Sequence, residues 1–403
     1  MAEILTFGCR LNTVESEAIR LHAAHLPDTI VVNTCAVTTE AERQARQAIA
    51  RLHRERPGAP IVVTGCAAQI DPARWSALPG VTRILGNAEK LAPETWHHST
   101  SKVGDIQSVR THTPTPLPGI AGRARAFLDV QQGCDHACTF CIIPQGRGPN
   151  RSVPPATVVQ HLQALVASGC NEVVLTGVDL ASWGTDHGTT LAALLQTILT
   201  ETPNLPRLRL SSLDPAALDD AFWHVLATQP RLMPHLHLSI QSGADLILKR
   251  MRRRHSRTTA LAAIARARMI RPGLAIGADL IAGFPTETDE LFEQTLAFVT
   301  QAEIPYLHVF PYSPRPGTPA ARMPQIPTNI RRDRAARLRS AATPHAEALH
   351  ATMLGTQAQI VVERGNRGHT DAFAPVRLNA PAEIGALITR RITAADATGL
   401  EVA

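Results

Sequence analysis

Short apolar runs alternate with amphipathic stretches along most of this chain. Near the start, Ile4-Leu5, Ile30-Val31-Val32 and Ile61-Val62-Val63 are each followed by a stretch of helical periodicity. Runs this short, rich in β-branched residues and bounded by Gly, Thr or Asn, read as buried strands of a parallel sheet. Strands are expected near residues 3–7, 29–34, 60–65 and 81–86, and helices near 13–25, 38–56 and 71–77. Residues 1–110 therefore predict a doubly wound parallel α/β domain. Prolines crowd 111–120 too densely for helix or inner strand, which predicts a stiff linker. From 121 to 345 the rhythm resumes, with strands near 126–131, 172–176, 206–211, 235–240, 275–281 and 304–312. The intervening helices fall near 155–168, 189–200, 215–228, 257–270 and 288–302. Six parallel strands with outer helices predict a partial (β/α)6 barrel. After residue 350 the runs shorten to 359–363, 373–378 and 384–388 between Gly, Asn and Asp turns. That pattern predicts a small antiparallel β-barrel over 350–403, separate from the radical site and joined through an exposed segment.

Length and composition fit two or three globular domains. The chain has 403 residues and a net charge of +6, with arginine supplying nearly all the positive charge; lysine occurs only at 90, 102 and 249. A basic balance favours a polyanionic partner. The densest clusters are Lys249 to Arg254 and Arg331 to Arg339, both on helical patterns. Each reads as a solvated helix face by default and as a nucleic-acid-facing patch on the sharper view. No signal-like N-terminus is readable, and no apolar run approaches the ~20 residues needed to cross a bilayer. The expectation is a cytoplasmic protein with no membrane partner and reduced thiols.

The seven cysteines carry the chemistry. Cys134, Cys138 and Cys141 are spaced Cys-x-x-x-Cys-x-x-Cys, with Phe140 before the third, directly after the first barrel strand. Three thiolates on one loop can hold three irons of a 4Fe–4S cluster and leave the fourth iron open to a small molecule. A structural zinc site wants paired Cys-x-x-Cys or His partners, and His136, inside the loop, is poorly placed as a fourth ligand. Cys9, Cys35 and Cys66 each lie just past a predicted strand of the first domain. Strand carboxyl ends gather at one crevice in an open parallel sheet, so these three are expected to converge on a second cluster. Cys170, between a helix and a strand with no cysteine nearby, reads as an ordinary core thiol.

These stretches resemble the radical S-adenosylmethionine (SAM) superfamily, whose signature is the Cys134–Cys141 spacing with its aromatic. Over the whole length the layout is similar to that of the methylthiotransferases. The likeness runs through Phe7 to Asn12, Asn33 to Thr38, Thr64 to Ala67, Cys134 to Gly148, Leu175 to Asp179, His237 to Gly243 and Phe310 to Thr318. The resemblance implies two 4Fe–4S clusters, on Cys134/Cys138/Cys141 and on Cys9/Cys35/Cys66, with SAM cleaved at the first and sulfur transferred from the second. It implies SAM contacts from Phe140, Thr176, Gly177, Ser239, Gln241 and Arg253, and a terminal TRAM-like barrel that binds RNA. Asn33 to Thr38 and His308 to Arg315 are most similar to the group acting on threonylcarbamoyladenosine at tRNA position 37, for which Arg315 is a candidate to meet the anionic appendage. Sister groups act on isopentenyladenosine in tRNA or on an aspartate of a ribosomal protein. The implied partners are the anticodon stem-loop of tRNA, an electron donor such as flavodoxin or ferredoxin, and the iron–sulfur assembly machinery. An iron–sulfur RNA-binding regulator without catalysis, or a zinc-stabilised RNA-binding protein, would not need a SAM-sized barrel. One departure stands out: Thr286 occupies a turn where relatives carry Gly, so that turn is expected to be reshaped.

Overall fold

The computed structural model describes residues 2–116 and 123–403. The expected linker is thus described through Pro116, without regular structure; its last residues and the expected start of the barrel at 121 lie outside the described residues. The described part is docked on the protein: His112 Nε2 lies 2.7 Å from the Asp129 carboxylate and His22 3.1 Å from the Thr115 hydroxyl.

Four parallel strands form the first sheet: β1 (Glu3–Thr6), β2 (Ile30–Thr34), β3 (Ile61–Gly65) and β4 (Val81–Ile84), in that spatial order. Helices α1 (Arg10–His22), α2 (Thr39–Glu55), α3 (Cys66–Ile70) and α4 (Pro72–Ser76) connect them. Alternation along β2 and β3 divides the core. Ile30, Val32, Ile61 and Val63 pack with Ala45, Ile49 and Leu52 of α2; Val31 and Val62 pack on the other face with Ile19 of α1 and Trp96. Both faces are therefore apolar and fully buried, as parallel strands require. The strand order never reverses, so the sheet has no switch-point crevice of its own. The second wall of its crevice comes from the barrel.

The barrel strands are β5 (Ala126–Gln132), β7 (Glu172–Gly177), β8 (Arg207–Leu210), β9 (His235–Gln241), β10 (Ala275–Ala282) and β11 (Tyr306–Pro311). They pair in parallel in two runs, β5-β7-β8 and β9-β10-β11, joined across β8 and β9 by isolated bridges such as Leu213 to Leu238. A short β6 (Arg151–Ser152) pairs antiparallel with β5 and was not foreseen. Outer helices are α5 (Ile143–Arg147), α6 (Pro155–Ala167), α7 (Leu191–Glu201), α8 (Asp220–Thr228), α9 (Asp245–Met251), α10 (Arg257–Ile270), α11 (Asp289–Gln301) and α12 (Thr328–Ala351). Among the described residues no helix is long and apolar enough to cross a membrane.

The small C-terminal barrel closes through β12 (Gln357–Glu363), β13 (Arg367–Thr370), β14 (Pro375–Leu378), β16 (Gly399–Val402) and β15 (Leu387–Asp396). The polar β13 and the short β16 lacked the apolar runs by which strands were read. This barrel docks against the larger one at the end away from the cysteine loop. Its β13–β14 turn plugs the floor of the larger barrel, at the amino ends of the strands. There Phe373 stacks on His235, with ring centroids 4.8 Å apart, beneath the guanidinium groups of Arg125 and Arg209. Arg209 donates to the carbonyls of Thr370 and Asp371, each at 2.7 Å, and Arg125 pairs with Glu363. Buried Glu172 faces Arg125, Arg207 and Arg209 at 3.5, 2.9 and 2.8 Å.

Each basic cluster is part solvated and part turned inward: Lys249, Arg252, Arg254, Arg332, Arg337 and Arg339 are exposed, and the others are not. Arg331 and Arg334 are buried, bonded to the Tyr312 carbonyl and to Glu287 and Asp289, while Arg337 pairs with Glu293. In the other cluster α9 ends at Met251, Arg252 takes a left-handed conformation, and Arg253 turns inward. Thr286 also answers its expectation differently. The turn keeps positive φ, at 68°, with threonine in it, and Arg250 donates to its carbonyl (3.0 Å) and hydroxyl (2.8 Å). Two charge-assisted hydrogen bonds offset the Cβ strain that glycine would avoid.

Candidate active site: a cysteine trio and a cysteine loop beside one cavity

A cavity of about 620 Å³ opens between the first sheet and the carboxyl ends of the barrel strands. Cys9, Cys35 and Cys66 line its sheet side, from the ends of β1, β2 and β3. Thr176 and Gly177 of β7 and Ser239 and Gln241 of β9 line its barrel side, with Phe140 from the Cys134–Cys141 loop. All five were named from sequence as SAM contacts, and the structure brings them to one wall. Gln241 sits at φ 71°, a strained conformation of the kind that collects at binding sites.

The sheet-side thiols approach because Gly8 leaves room. Its φ is 97°, and a Cβ there would stand 2.5 Å from the Cys35 Cβ. Arg147, from α5 of the barrel, donates through Nε to Cys66 Sγ at 3.1 Å. Its other nitrogens meet both carboxylate oxygens of Glu15 at 2.5 and 3.0 Å and Asn12 Oδ1 at 2.6 Å. Lys90 Nζ reaches the same carboxylate at 2.7 Å. Burial by itself would raise the Glu15 carboxyl; the Arg147 and Lys90 cations reverse that and hold it at about 2. At Lys90 the balance differs, since burial outweighs the pull of Glu15 and lowers the ammonium. Burial, reinforced by neighbouring Cys66, pushes the Cys35 thiol up to about 12.

The barrel-side thiols lie on one loop. The Thr139 N–H donates to the Met251 carbonyl (3.1 Å), its hydroxyl to the Arg250 carbonyl (2.8 Å), and Cys141 N–H to the Cys138 carbonyl (3.1 Å). Arg253 Nη1 lies 3.6 Å from Cys138 Sγ, while its Nη2 donates to the Ser239 carbonyl (2.8 Å) and faces Asp214 at 3.2 Å. Arg253, a candidate for the SAM carboxylate, is placed between Cys138 and the strand that carries Ser239. Burial, with Asp179 beside it, raises the Cys134 thiol, and burial pushes Cys141 up to about 11. Asp179 and His136 are residues that sequence reading undervalued. The His136 ring lies 2.8 Å from the Asp179 carboxylate, and with Cys134 their ligand atoms fall within 4.8 Å of one another. His136 therefore stands much nearer a ligating position than its place inside the loop suggested. Cys170 packs beside the barrel core, far in the fold from both trios.

The all-sulfur donor sets, the Gly8 cradle and the cation on Cys66 fit soft metal clusters that need thiolate ligands and a nearby positive charge. Burial raises the thiols of Cys9, Cys35, Cys134 and Cys141, so cluster loading would release protons from them. Arg315 is a correction in place. It is buried and paired with Glu42 of α2, and it does not line the cavity. The polar group that does line it, His237, Asp279 and His308, escaped sequence reading because strand alternation alone gave no reason to single it out. Asp279 lies 2.9 Å from His237 and 3.5 Å from His308, and these rings hold its carboxyl far below the usual range against the cost of burial.

Residues 128–299 match the radical SAM superfamily, and residues 2–86 match the uncharacterized protein family UPF0004. Over 99% of its length the chain is 45% identical to threonylcarbamoyladenosine tRNA methylthiotransferase MtaB of Rickettsia prowazekii, covering 95% of that protein. It is 38% identical to the Bacillus subtilis protein of the same name, over 83% of this chain and 78% of that one. It is 34% identical to tRNA-2-methylthio-N(6)-dimethylallyladenosine synthase 1 of Mycobacterium marinum, over 98% of this chain and 80% of that one. The fold is similar to the radical SAM methyltransferase TsrM of Kitasatospora setae, with a TM-score of 0.58 at 15% identity, over 77% and 69% of the two chains.

Proposed function

We propose that this chain, which belongs to the radical SAM tRNA methylthiotransferase family, inserts a methylthio group at C-2 of N6-threonylcarbamoyladenosine at position 37 of tRNA. One observation carries the reading: Cys9, Cys35 and Cys66 of the sheet and Phe140 of the Cys134–Cys141 loop line the same cavity, which is open to solvent and large enough for a nucleoside beside SAM. Removing hydrogen from an unactivated aromatic carbon is beyond any side chain. When bound, a 4Fe–4S cluster with SAM supplies the radical for that step, and a second cluster supplies the sulfur.

The residues divide the work. Cys134, Cys138 and Cys141 would hold the first cluster, and Cys9, Cys35 and Cys66 the second. Thr176, Gly177, Ser239, Gln241 and Phe140 bind and orient SAM along the barrel wall. Arg253 is a positioning residue, fixing Cys138 against the strand that carries Ser239. Arg147 locks the barrel to the sheet, so the two trios keep their separation through a turnover. Exposed Arg364, Arg367, Arg390 and Arg391, without carboxylate partners among the described residues, give the small TRAM-like barrel a cationic face for tRNA phosphates. An anticodon loop suits a buried site because its bases can be splayed outward. The exposed flanks of the cysteine loop, Asp135 and Ala137, leave it open to a one-electron donor such as flavodoxin or ferredoxin, and the iron–sulfur assembly machinery would load both trios. Nucleoside mass spectrometry of tRNA from a deletion strain tests the substrate. Loss of 2-methylthio-threonylcarbamoyladenosine is expected; loss of the isopentenyl product instead would overturn the reading.

A further inference from the structure

Four arginines stand at or beside the cavity, and three of them are neutralised. Arg147 is held by Glu15, Arg253 by Asp214 and Arg315 by Glu42. The fourth, Arg10, lines the cavity as the first residue of α1 and has no carboxylate within ion-pair distance among the described residues. Its guanidinium carbon lies 5.8 Å from the Phe127 ring, and its charge is felt by Asp279, which attracts it, and by Arg125 and Arg209, which repel it. Three further polar residues line the same cavity: His237, Asp279 and His308, joined by the contacts of 2.9 and 3.5 Å already described.

Arg10 is exposed to solvent at the cavity wall, so its guanidinium is free to pair with an anionic ligand that enters. We infer that Arg10, together with the His237–Asp279–His308 group, forms the subsite for an anionic, hydroxylated amino-acid appendage on the adenosine. Arg10 takes the carboxylate in a forked pair, and Asp279 with its histidines takes the hydroxyl or urea N–H groups. This inference rests on the substrate reading above and specifies which residues read it. An isopentenyl group would meet the same polar surface with nothing to bond, and sites built for polar groups reject analogues that lack them.

The test uses the reconstituted full-length protein and two anticodon stem-loops, one carrying threonylcarbamoyladenosine and one its carboxyl methyl ester. Binding is read by fluorescence anisotropy, and product by nucleoside mass spectrometry. The wild-type protein should bind the acid at least about tenfold tighter than the ester, the worth of one charge-assisted pair. Arg10→Gln should weaken binding of the acid roughly 10- to 100-fold and of the ester by far less, while Arg10→Lys should restore much of the difference. Equal wild-type affinity for acid and ester, or equal losses of both in Arg10→Gln, would overturn the subsite. Methylthiolation of both stem-loops alike would keep the substrate reading and remove Arg10 from it. Methylthiolation of neither would remove the substrate reading itself.

Discussion

The two cysteine trios reach similar chemistry by opposite routes. Cys134, Cys138 and Cys141 belong to one loop, whose shape is set by bonds to the nearby ends of α9 and of the barrel strands. Cys9, Cys35 and Cys66 come from three strand ends, and what holds them is a buried ionic network that crosses between the sheet and the barrel. The first site is local and can be assembled by a short segment. The second is gathered by one sheet, but its cation, Arg147, arrives only when the barrel docks on that sheet. A local site tolerates distant damage; a composite one transmits it.

The largest test replaces single cysteines with Ala. A Cys134, Cys138 or Cys141 variant should produce no 5′-deoxyadenosine yet retain about four irons per chain, since two thiolates hold a cubane poorly. A Cys9, Cys35 or Cys66 variant should keep SAM cleavage and lose all methylthio product. Both sets losing both activities would mean that the trios are not independent.

Breaking the ionic network comes next. Glu15→Gln strands two buried cations and should cost about 3–5 kcal/mol in chemical denaturation. It should deplete iron at the composite site first. The acid limb sharpens this prediction. The Glu15 carboxyl is held at about 2 in the folded protein, below its unfolded value of 4.5. Its contribution to stability is therefore complete above pH 4.5 and is lost as pH falls from there towards 2. In Glu15→Gln that part of the acid unfolding curve should flatten.

Gly8→Ala is the steric counterpart. The added methyl would crowd Cys35 at a backbone angle that alanine resists, for an expected loss of about 2–3 kcal/mol with the loop trio still loaded. The smallest effect belongs to Thr286→Gly, which touches the loop trio only through Arg250. Relief of Cβ strain and loss of one hydrogen bond to Arg250 nearly cancel, so the change should stay within about 1 kcal/mol. A larger loss of stability would show that the Arg250 bond, and not backbone freedom, governs that turn.

The same contrast explains what could be read in advance. The loop trio was legible because its spacing is itself the geometry. The strand-end trio was legible only through topology: apolar runs located β1, β2 and β3, and parallel pairing brought their ends together. Arg147 and Glu15 could be named as residues of matching stretches or helices, but nothing in their neighbours foretold that they would meet. Arg315 failed as a substrate ligand for the same reason, since its partner Glu42 lies 273 positions away. Arg10 followed a cysteine in plain view, yet its freedom from partners emerges only when every carboxylate around the cavity has been placed. The strands of the small barrel were half-legible because β13 alternates polar with small residues, and its pairing is enforced by closure more than by local pattern.

The floor of the large barrel has a consequence for the order of synthesis. Arg207 and Arg209 are among the most buried groups of the chain, yet part of what satisfies Arg209 is the Thr370–Phe373 turn, more than 150 residues downstream. A chain growing from its N-terminus completes all six barrel strands by Pro311, while that turn is still unmade. The nascent barrel therefore waits, open at its base and with two nitrogens of Arg209 lacking their carbonyl acceptors, until the last sixth of the protein leaves the ribosome. Final closure, and with it the rigidity of the strands that carry the cavity, is set by the arrival of Phe373.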